Sequence, residues 1–128
     1  MRILLADDFE VVRTGLKNLL SGSEQWEVCG EAEDGLSAVE QAIALTPDVV
    51  VLDITMPVMN GFEAAREIRK LAPKTKIVMF SMHDSERMVH EAKEAGADAY
   101  IVKSSGVDEI EKTLSEILKG NSSLPGHC

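Results

Sequence analysis

No stretch of this chain is apolar for long enough to cross a membrane. No signal-peptide pattern opens it either, because Met1-Arg2 leads straight into a short apolar run. The expected compartment is therefore the cytoplasm. Cysteine is scarce: Cys29 lies in a strand-like stretch and Cys128 is the last residue, so a structural disulfide is not expected. His127 beside Cys128 lacks the two further ligands that a metal site needs, and reads as part of a loose tail. Positive charge is also short. With 13 basic against 22 acidic residues the net charge is -9, which argues against direct nucleic-acid binding by this segment, since phosphate contacts need a positive surface. It does not argue against a DNA-binding partner attached elsewhere. Internal repeats and low-complexity segments are missing.

What is present suits one domain with one core: 128 residues, 45% hydrophobic and 27% charged, a balance that opposes disorder. Strand and helix patterns alternate with little wasted sequence. "RILLA" is a short apolar run ending at Asp7-Asp8, and "FEVVRTGLKNLL" follows with Val12, Leu16, Leu19 and Leu20 at helical spacing. "WEVCGEA" alternates like a less buried strand. "GLSAVEQAIAL" places Leu36, Val39, Ala42 and Ile43 on one face, and Thr46-Pro47 stops it. "DVVVLD" is a continuous apolar strand. "GFEAAREIRKLA" is helical with Phe62, Ala65 and Ile68 inward, and ends before Pro73. "KIVMFS" is a strand, "SERMVHEAKEAG" a helix closed by Gly96, and "DAYIVK" the fifth strand. "GVDEIEKTLSEILKG" carries Ile110, Leu114, Ile117 and Leu118 on one stripe, with Gly120 past its end. Five strand–helix units with near-continuous apolar strands predict an α/β fold: a parallel sheet covered on both faces and doubly wound through right-handed crossovers. Residues 1–120 form this domain, and "NSSLPGHC" (residues 121–128) reads as a linker or an added tail.

In such a sheet, ligands bind outside the carboxyl ends of the strands. The first strand ends in Asp7-Asp8, the third in Asp53, the fourth in Ser81 and the fifth in Lys103. The second offers Glu31 and Glu33, which read as surface residues. Any one of these placements is ordinary; five polar groups on one edge are not. Three carboxylates gathered there repel by about 4 kcal/mol per pair near 4 Å at an effective dielectric of about 20. A divalent cation relieves that repulsion, and a small set of oxygen ligands suits Mg²⁺ (or Mn²⁺). With the cation in place one carboxylate can attack phosphorus, while Lys103 and the Ser81 hydroxyl meet the phosphoryl oxygens. Asp53, central among the strand ends, is the candidate nucleophile.

Asp7-Asp8, Asp53, Ser81 and Lys103 at these spacings, with "MP" after the central Asp and Gly61 eight residues on, resemble the CheY-like receiver domain of two-component response regulators across residues 2–120. The resemblance implies a flavodoxin-like (βα)5 sandwich with strand order 2-1-3-4-5. It implies that Asp53 accepts a phosphoryl group from a phosphohistidine of a sensor histidine kinase. It assigns Mg²⁺ to Asp8, Asp53 and the backbone carbonyl of Thr55, with Asp7 acting through water. Ser81 and Lys103 contact the phosphoryl oxygens, and Tyr100 is the aromatic switch that turns inward as Ser81 is drawn toward the phosphate. Such a domain is not a turnover enzyme but a phosphoacceptor that phosphorylates itself from small donors and dephosphorylates itself with water. "RILLADDFEVVRTGLKNLL", "WEVCGEAEDG", "SMHDSE" and "VKSS" further resemble receivers that precede a LuxR/NarL-type helix-turn-helix. This implies transcriptional regulation through a C-terminal DNA-binding domain, and a phosphorylation-dependent homodimer. Two positions depart from the family pattern: Ser104 replaces the usual Pro after the lysine, removing the usual cis bond, and Met82 replaces a small residue, so its bulk is expected to narrow phosphoryl access or water entry.

Each residue alone has an ordinary reading. Asp7-Asp8 could cap a helix, Ser81 and Lys103 could be strand-end polar groups, and Tyr100 a half-buried aromatic. Thr55 and Met56 could be turn residues beside Pro57. His83 and His90 read as surface, and Met79, Met82 and Met88 as packing. Asp53 resists most, because an unpaired charge closing a buried strand costs several kcal/mol, on the order of the penalties for buried ions. Among rival functions, a haloacid-dehalogenase-type phosphohydrolase needs a second Asp where Thr55 stands. A flavodoxin-like FMN carrier needs a hydroxyl-rich phosphate loop where "ADDFE" stands. A receiver acting only through protein–protein contact remains the alternative output.

Overall fold

Five short strands are laid edge to edge and every strand-to-strand connection passes through a helix. The computed structural model describes residues 1–22, 24–105 and 108–118. The strands are β1 (Arg2–Ala6), β2 (Glu27–Ala32), β3 (Val49–Leu52), β4 (Lys76–Ser81) and β5 (Ala99–Val102). The helices are α1 (Glu10–Ser21), α2 (Gly35–Leu45), α3 (Gly61–Leu71), α4 (Glu86–Glu94) and α5 (Asp108–Leu118). All strand pairs are parallel, in the order β2-β1-β3-β4-β5. The expected doubly wound sandwich and its strand order are both observed.

The continuous apolar strands follow from having a core on each side. Leu4, Val50, Leu52, Ile77 and Met79 pack beneath α2, α3 and α4. Their neighbours Ile3, Leu5, Val49, Val51 and Val78 pack beneath α1 and α5. Each buried aliphatic side chain contributes about 1.5–3 kcal/mol, so the register of the central strands is strongly fixed. β1 connects to β2 on one side, and the chain then crosses to β3 on the other. The crevice between the β1 and β3 ends is therefore where the winding reverses.

Local signals agree with the helix starts. The Asp34 side chain accepts from the Ser37 N–H at 2.7 Å, Ser85 caps α4, and Asn60 with Glu63 forms a reciprocal capping box on α3. Helix α1 is different: its N-cap is Phe9, with no side-chain cap. The ordinary reading of Asp7-Asp8 as a cap therefore does not hold.

Two stripes need correction. On α2, Leu36 and Ile43 are exposed, and the buried face is Gly35, Ala38, Val39 and Ala42. The helix lies close to the sheet and to Ala64 and Ala65 of α3, so small residues fill that space and the larger aliphatics turn outward. On α1, Arg13 is buried alongside Leu16 and Leu20. Lys103–Ser105 forms a 3-10 turn, and all described peptide bonds are trans. The Leu118 side chain, Gly120, the boundary expected at residue 120, and His127 with Cys128 lie outside the described residues. No described helix is long and apolar enough to cross a membrane.

The loop after β3 is held between two glycines. A Cβ on Gly61 would lie 2.2 Å from the Asp53 carbonyl oxygen, and one on Gly35 would lie 1.9 Å from the Met59 carbonyl oxygen. Gly61→Ala is expected to destabilise the fold by about 1–3 kcal/mol. Gly15→Ala, on α1 with nothing within 4 Å of the new Cβ, should stabilise it by roughly 0.5–1 kcal/mol. Thermal melts followed by circular dichroism check both, and a Gly61→Ala protein as stable as its parent contradicts the packing argument.

Candidate functional site

Strand register alone brings the first two carboxyl-bearing strand ends together. Ala6 pairs with Leu52 across β1 and β3, and the Asp53 N–H donates to the Ala6 carbonyl at 2.9 Å. Asp7 and Asp53, one residue further along each chain, are therefore neighbours. One carboxylate oxygen from each of Asp7, Asp8 and Asp53 lies within 4.8 Å of the others. Asp7 and Asp53 are buried and Asp8 is exposed, so the cluster opens to solvent on the Asp8 side.

Lys103 enters from the end of β5. Its Nζ lies 2.7 Å from Asp7 Oδ2 and 3.6 Å from Asp53 Oδ2, while its ammonium passes 5.6 Å from the centroid of the Phe80 ring. Asp7 is held on every side. Its N–H donates to the Ala32 carbonyl at 3.1 Å, its Oδ1 accepts from the Phe9 N–H at 2.9 Å, and its carbonyl accepts from Arg13 at 2.5 Å. Ser81 ends β4, fully buried, and its Oγ accepts from the His83 N–H at 3.2 Å. The Tyr100 hydroxyl donates to the His83 carbonyl at 2.7 Å, with the ring turned inward and only 7% exposed. Thr55 is exposed two residues past Asp53, its Oγ1 lying 3.3 Å from His83 Nε2.

Asp7, Asp8, Asp53 and Lys103 thus form one contiguous cluster. Ser81 and Tyr100 sit on the adjoining strands and are linked through the His83 backbone. Burial, and then the charge of Asp7, push the Asp53 carboxyl above the usual range; Asp8 adds to this, while Lys103 and the Thr55 N–H oppose it. Burial likewise raises the Tyr100 hydroxyl, with Ser81 opposing. Three carboxylates facing one ammonium leave a net negative pocket lined by hard oxygen donors. That donor set fits Mg²⁺ or Mn²⁺, and the open Asp8 side leaves room for the waters such ions retain.

Several residues carry more than their sequence suggested. Glu31 is not a bare surface residue: it is half-buried and pairs with Arg13 at 3.0 Å and Lys17 at 2.9 Å. The hydrogen bond from Lys17, with that from Arg13, lowers its carboxyl against the opposing effect of burial. Glu33 is exposed, as read. Arg13 could have been found from its spacing, since residues 13, 16 and 20 share a helix face and an arginine there is out of pattern. The His83 side chain is exposed, as read, but its backbone joins Ser81 to Tyr100, a role no local pattern announces. His90 is exposed and lies 3.8 Å from Glu94. Met79 is core and Met88 packs against it, but Met82 is 69% exposed and does not pack.

The sequence profile described as "Response regulator receiver domain" matches residues 3–115. The response regulator protein VraR of Staphylococcus epidermidis is 35% identical, over 95% of this chain and 58% of its own length. The chain therefore spans little more than half of that relative. The chemotaxis protein CheY of Thermotoga maritima is 41% identical, over 92% of this chain and 98% of its own. Among solved structures, a LuxR-family two-component response regulator from Aurantimonas superposes with a TM-score of 0.91 at 37% identity, covering 97% of this chain and 89% of its own.

The raised Asp53 pKa has a consequence for stability. The folded state holds this proton more tightly than the unfolded state, so Asp53 contributes stability below its folded pKa and loses it as pH rises through that value. The ionised form of this carboxylate is therefore a burden on the metal-free fold. Asp53→Asn should melt roughly 3 °C or more above the parent at pH 7 without divalent cation. The gap should narrow toward pH about 4 and on adding Mg²⁺. A variant that melts lower than its parent at pH 7 contradicts the account.

Proposed function

The chain belongs to the response regulator receiver domain family of two-component systems, and from that membership we propose that Asp53 is its phosphoacceptor. The observation that carries the reading is the Asp7–Asp8–Asp53 cluster with Lys103 bridging two of its members. An Asp53 carboxylate oxygen attacks phosphorus in line as the bond from phosphorus to the donor nitrogen or oxygen breaks. The donor leaves as the imidazole of a sensor histidine kinase or as the carboxylate of a small acyl phosphate. Receiver domains hold Mg²⁺ at such an acidic pocket; here Asp8, Asp53 and the Thr55 carbonyl would hold it directly and Asp7 through water. When bound, the cation offsets the charge shared by the carboxylates and the incoming phosphoryl group. Lys103 moves its ammonium from Asp7 toward the phosphoryl oxygens, and the Ser81 hydroxyl donates to another. Water attacking phosphorus in line breaks its bond to the Asp53 oxygen, releases inorganic phosphate and returns the free carboxylate.

The new charge, about -1.5 to -2 in a phosphate ester, favours a surface built by α4, β5 and α5, with Ser81 and Tyr100 as the moving parts. We place the output in transcription, through a C-terminal helix-turn-helix DNA-binding domain and a phosphorylation-dependent homodimer in the cytoplasm. The LuxR-family response regulator from Aurantimonas supports this, and VraR is long enough beyond the match to hold a further domain. Output by protein–protein contact alone is the second reading, supported by the full-length match to CheY.

Acetyl phosphate with Mg²⁺ should label the parent chain near stoichiometrically and leave Asp53→Asn unlabelled, as read by intact-mass spectrometry. Full labelling of the variant would place the acceptor elsewhere. Met82, exposed beside Ser81, is expected to restrict the approach of water. Met82→Ala should shorten the lifetime of the phosphorylated form severalfold, and an unchanged decay rate removes that role.

A further inference from the structure

Arg13 is buried to 7% exposure on α1, and the phosphoryl chemistry makes no use of it. A buried guanidinium costs several kcal/mol, roughly as for other buried ions, unless it is fully paired, and an apolar residue would fill the stripe shared with Leu16 and Leu20 at lower cost. Its contacts indicate what it does instead. Nη1 donates to the Asp7 carbonyl at 2.5 Å, Nε donates to Glu31 at 3.0 Å, and Nη2 lies 3.9 Å from Glu33. Lys17 holds the other oxygen of Glu31 at 2.9 Å, which fixes the anchor in turn.

The Asp7 carbonyl belongs to the peptide that joins Asp7 to Asp8. The Asp7 N–H is tied to Ala32 and its carboxylate to Phe9 and Lys103, so the bond from Arg13 fixes the last free polar atom of that residue. The Asp8 side chain leaves directly from this plane and is exposed. We propose that Arg13 is a positioning residue for the cation site: braced against Glu31, it fixes the Asp7–Asp8 peptide and so sets where the Asp8 carboxylate points. The inference rests on the reading of Asp8 and Asp53 as cation ligands. The planar fork of arginine is needed, because it can meet a carbonyl and a carboxylate at once, whereas a lysine offers one point charge.

Calorimetric titration of the 128-residue chain with Mg²⁺ tests this, comparing the parent with Asp8→Asn, Arg13→Met, Arg13→Lys and Glu40→Gln. Asp8→Asn should lose binding. Both Arg13 variants should bind roughly tenfold more weakly or worse, the scale set by residues that orient metal ligands. Their Asp8 amide resonance should also shift while the thermal transition stays cooperative. Glu40→Gln, at an exposed position of α2, should match the parent. If Arg13→Met does not fold, Arg13→Lys carries the comparison. Parental affinity in a folded Arg13 variant overturns the positioning role and leaves the cation site standing. Parental affinity in Asp8→Asn, or no binding by the parent, overturns the cation site and the positioning role together.

Discussion

The repulsion among Asp7, Asp8 and Asp53 is the constraint that the rest of the molecule is built to withstand. Oxygens within 4.8 Å of one another repel by roughly 3–4 kcal/mol per pair at an effective dielectric of about 20. That is a large fraction of the total stability of a domain this size, about 5–15 kcal/mol. The strands cannot relax it by sliding. A one-residue slip would turn every side chain of β1 or β3 toward the opposite core, and both strands are buried on both faces. The hydrophobic register therefore forces the carboxylates together, and Lys103 offsets only part of the cost.

The well-made parts of the fold surround the pocket that is under electrostatic load. Helix α3, which begins just after the Asp53 loop, carries a full capping box. The loop before it passes between Gly35 and Gly61 with no space for another atom. At the far end of the sheet, Arg69 joins the Gly96 carbonyl, the Pro73 and Thr75 carbonyls and Asp98, fastening α3 to the start of β4 and the loop before β5. Asp98 also accepts from the Ile77 N–H. Rigidity at the base allows tension at the carboxyl edge to be expressed there, through the groups that end the strands, and not by loosening the sheet.

Much of this was legible in the sequence because it depends on short-range pattern. The period of the apolar runs gave five strand–helix units, and the polar residue closing each strand gave the edge on which the site lies. The less legible parts depend on depth and distance. Leu36 and Ile43 outrank Gly35 and Ala38 on any hydropathy scale, yet the space beneath α2 admits only small residues. Arg13 and Glu31 are far apart in sequence and meet only because α1 packs beside the end of β2. His83 acts through its N–H and carbonyl, which every residue possesses, so its side chain could not advertise the role.

Those backbone groups of His83 determine how far a disturbance in the pocket can travel. Ser81 is fully buried, and its Oγ is committed to the His83 N–H. Any movement of that oxygen toward Asp53 must stretch this bond or drag the His83 peptide with it. The His83 carbonyl holds the Tyr100 hydroxyl, and Tyr100 in turn lines a cleft of about 540 Å³ with Val89, His90 and Lys93 of α4. A displacement too small to alter the sheet therefore reaches a surface cleft through two hydrogen bonds and one rigid aromatic ring. Burial of Tyr100 makes its hydroxyl dependent on a partner, since an orphaned buried hydroxyl costs about 1–3 kcal/mol. That dependence, more than any flexibility, obliges the ring to follow the backbone of residue 83.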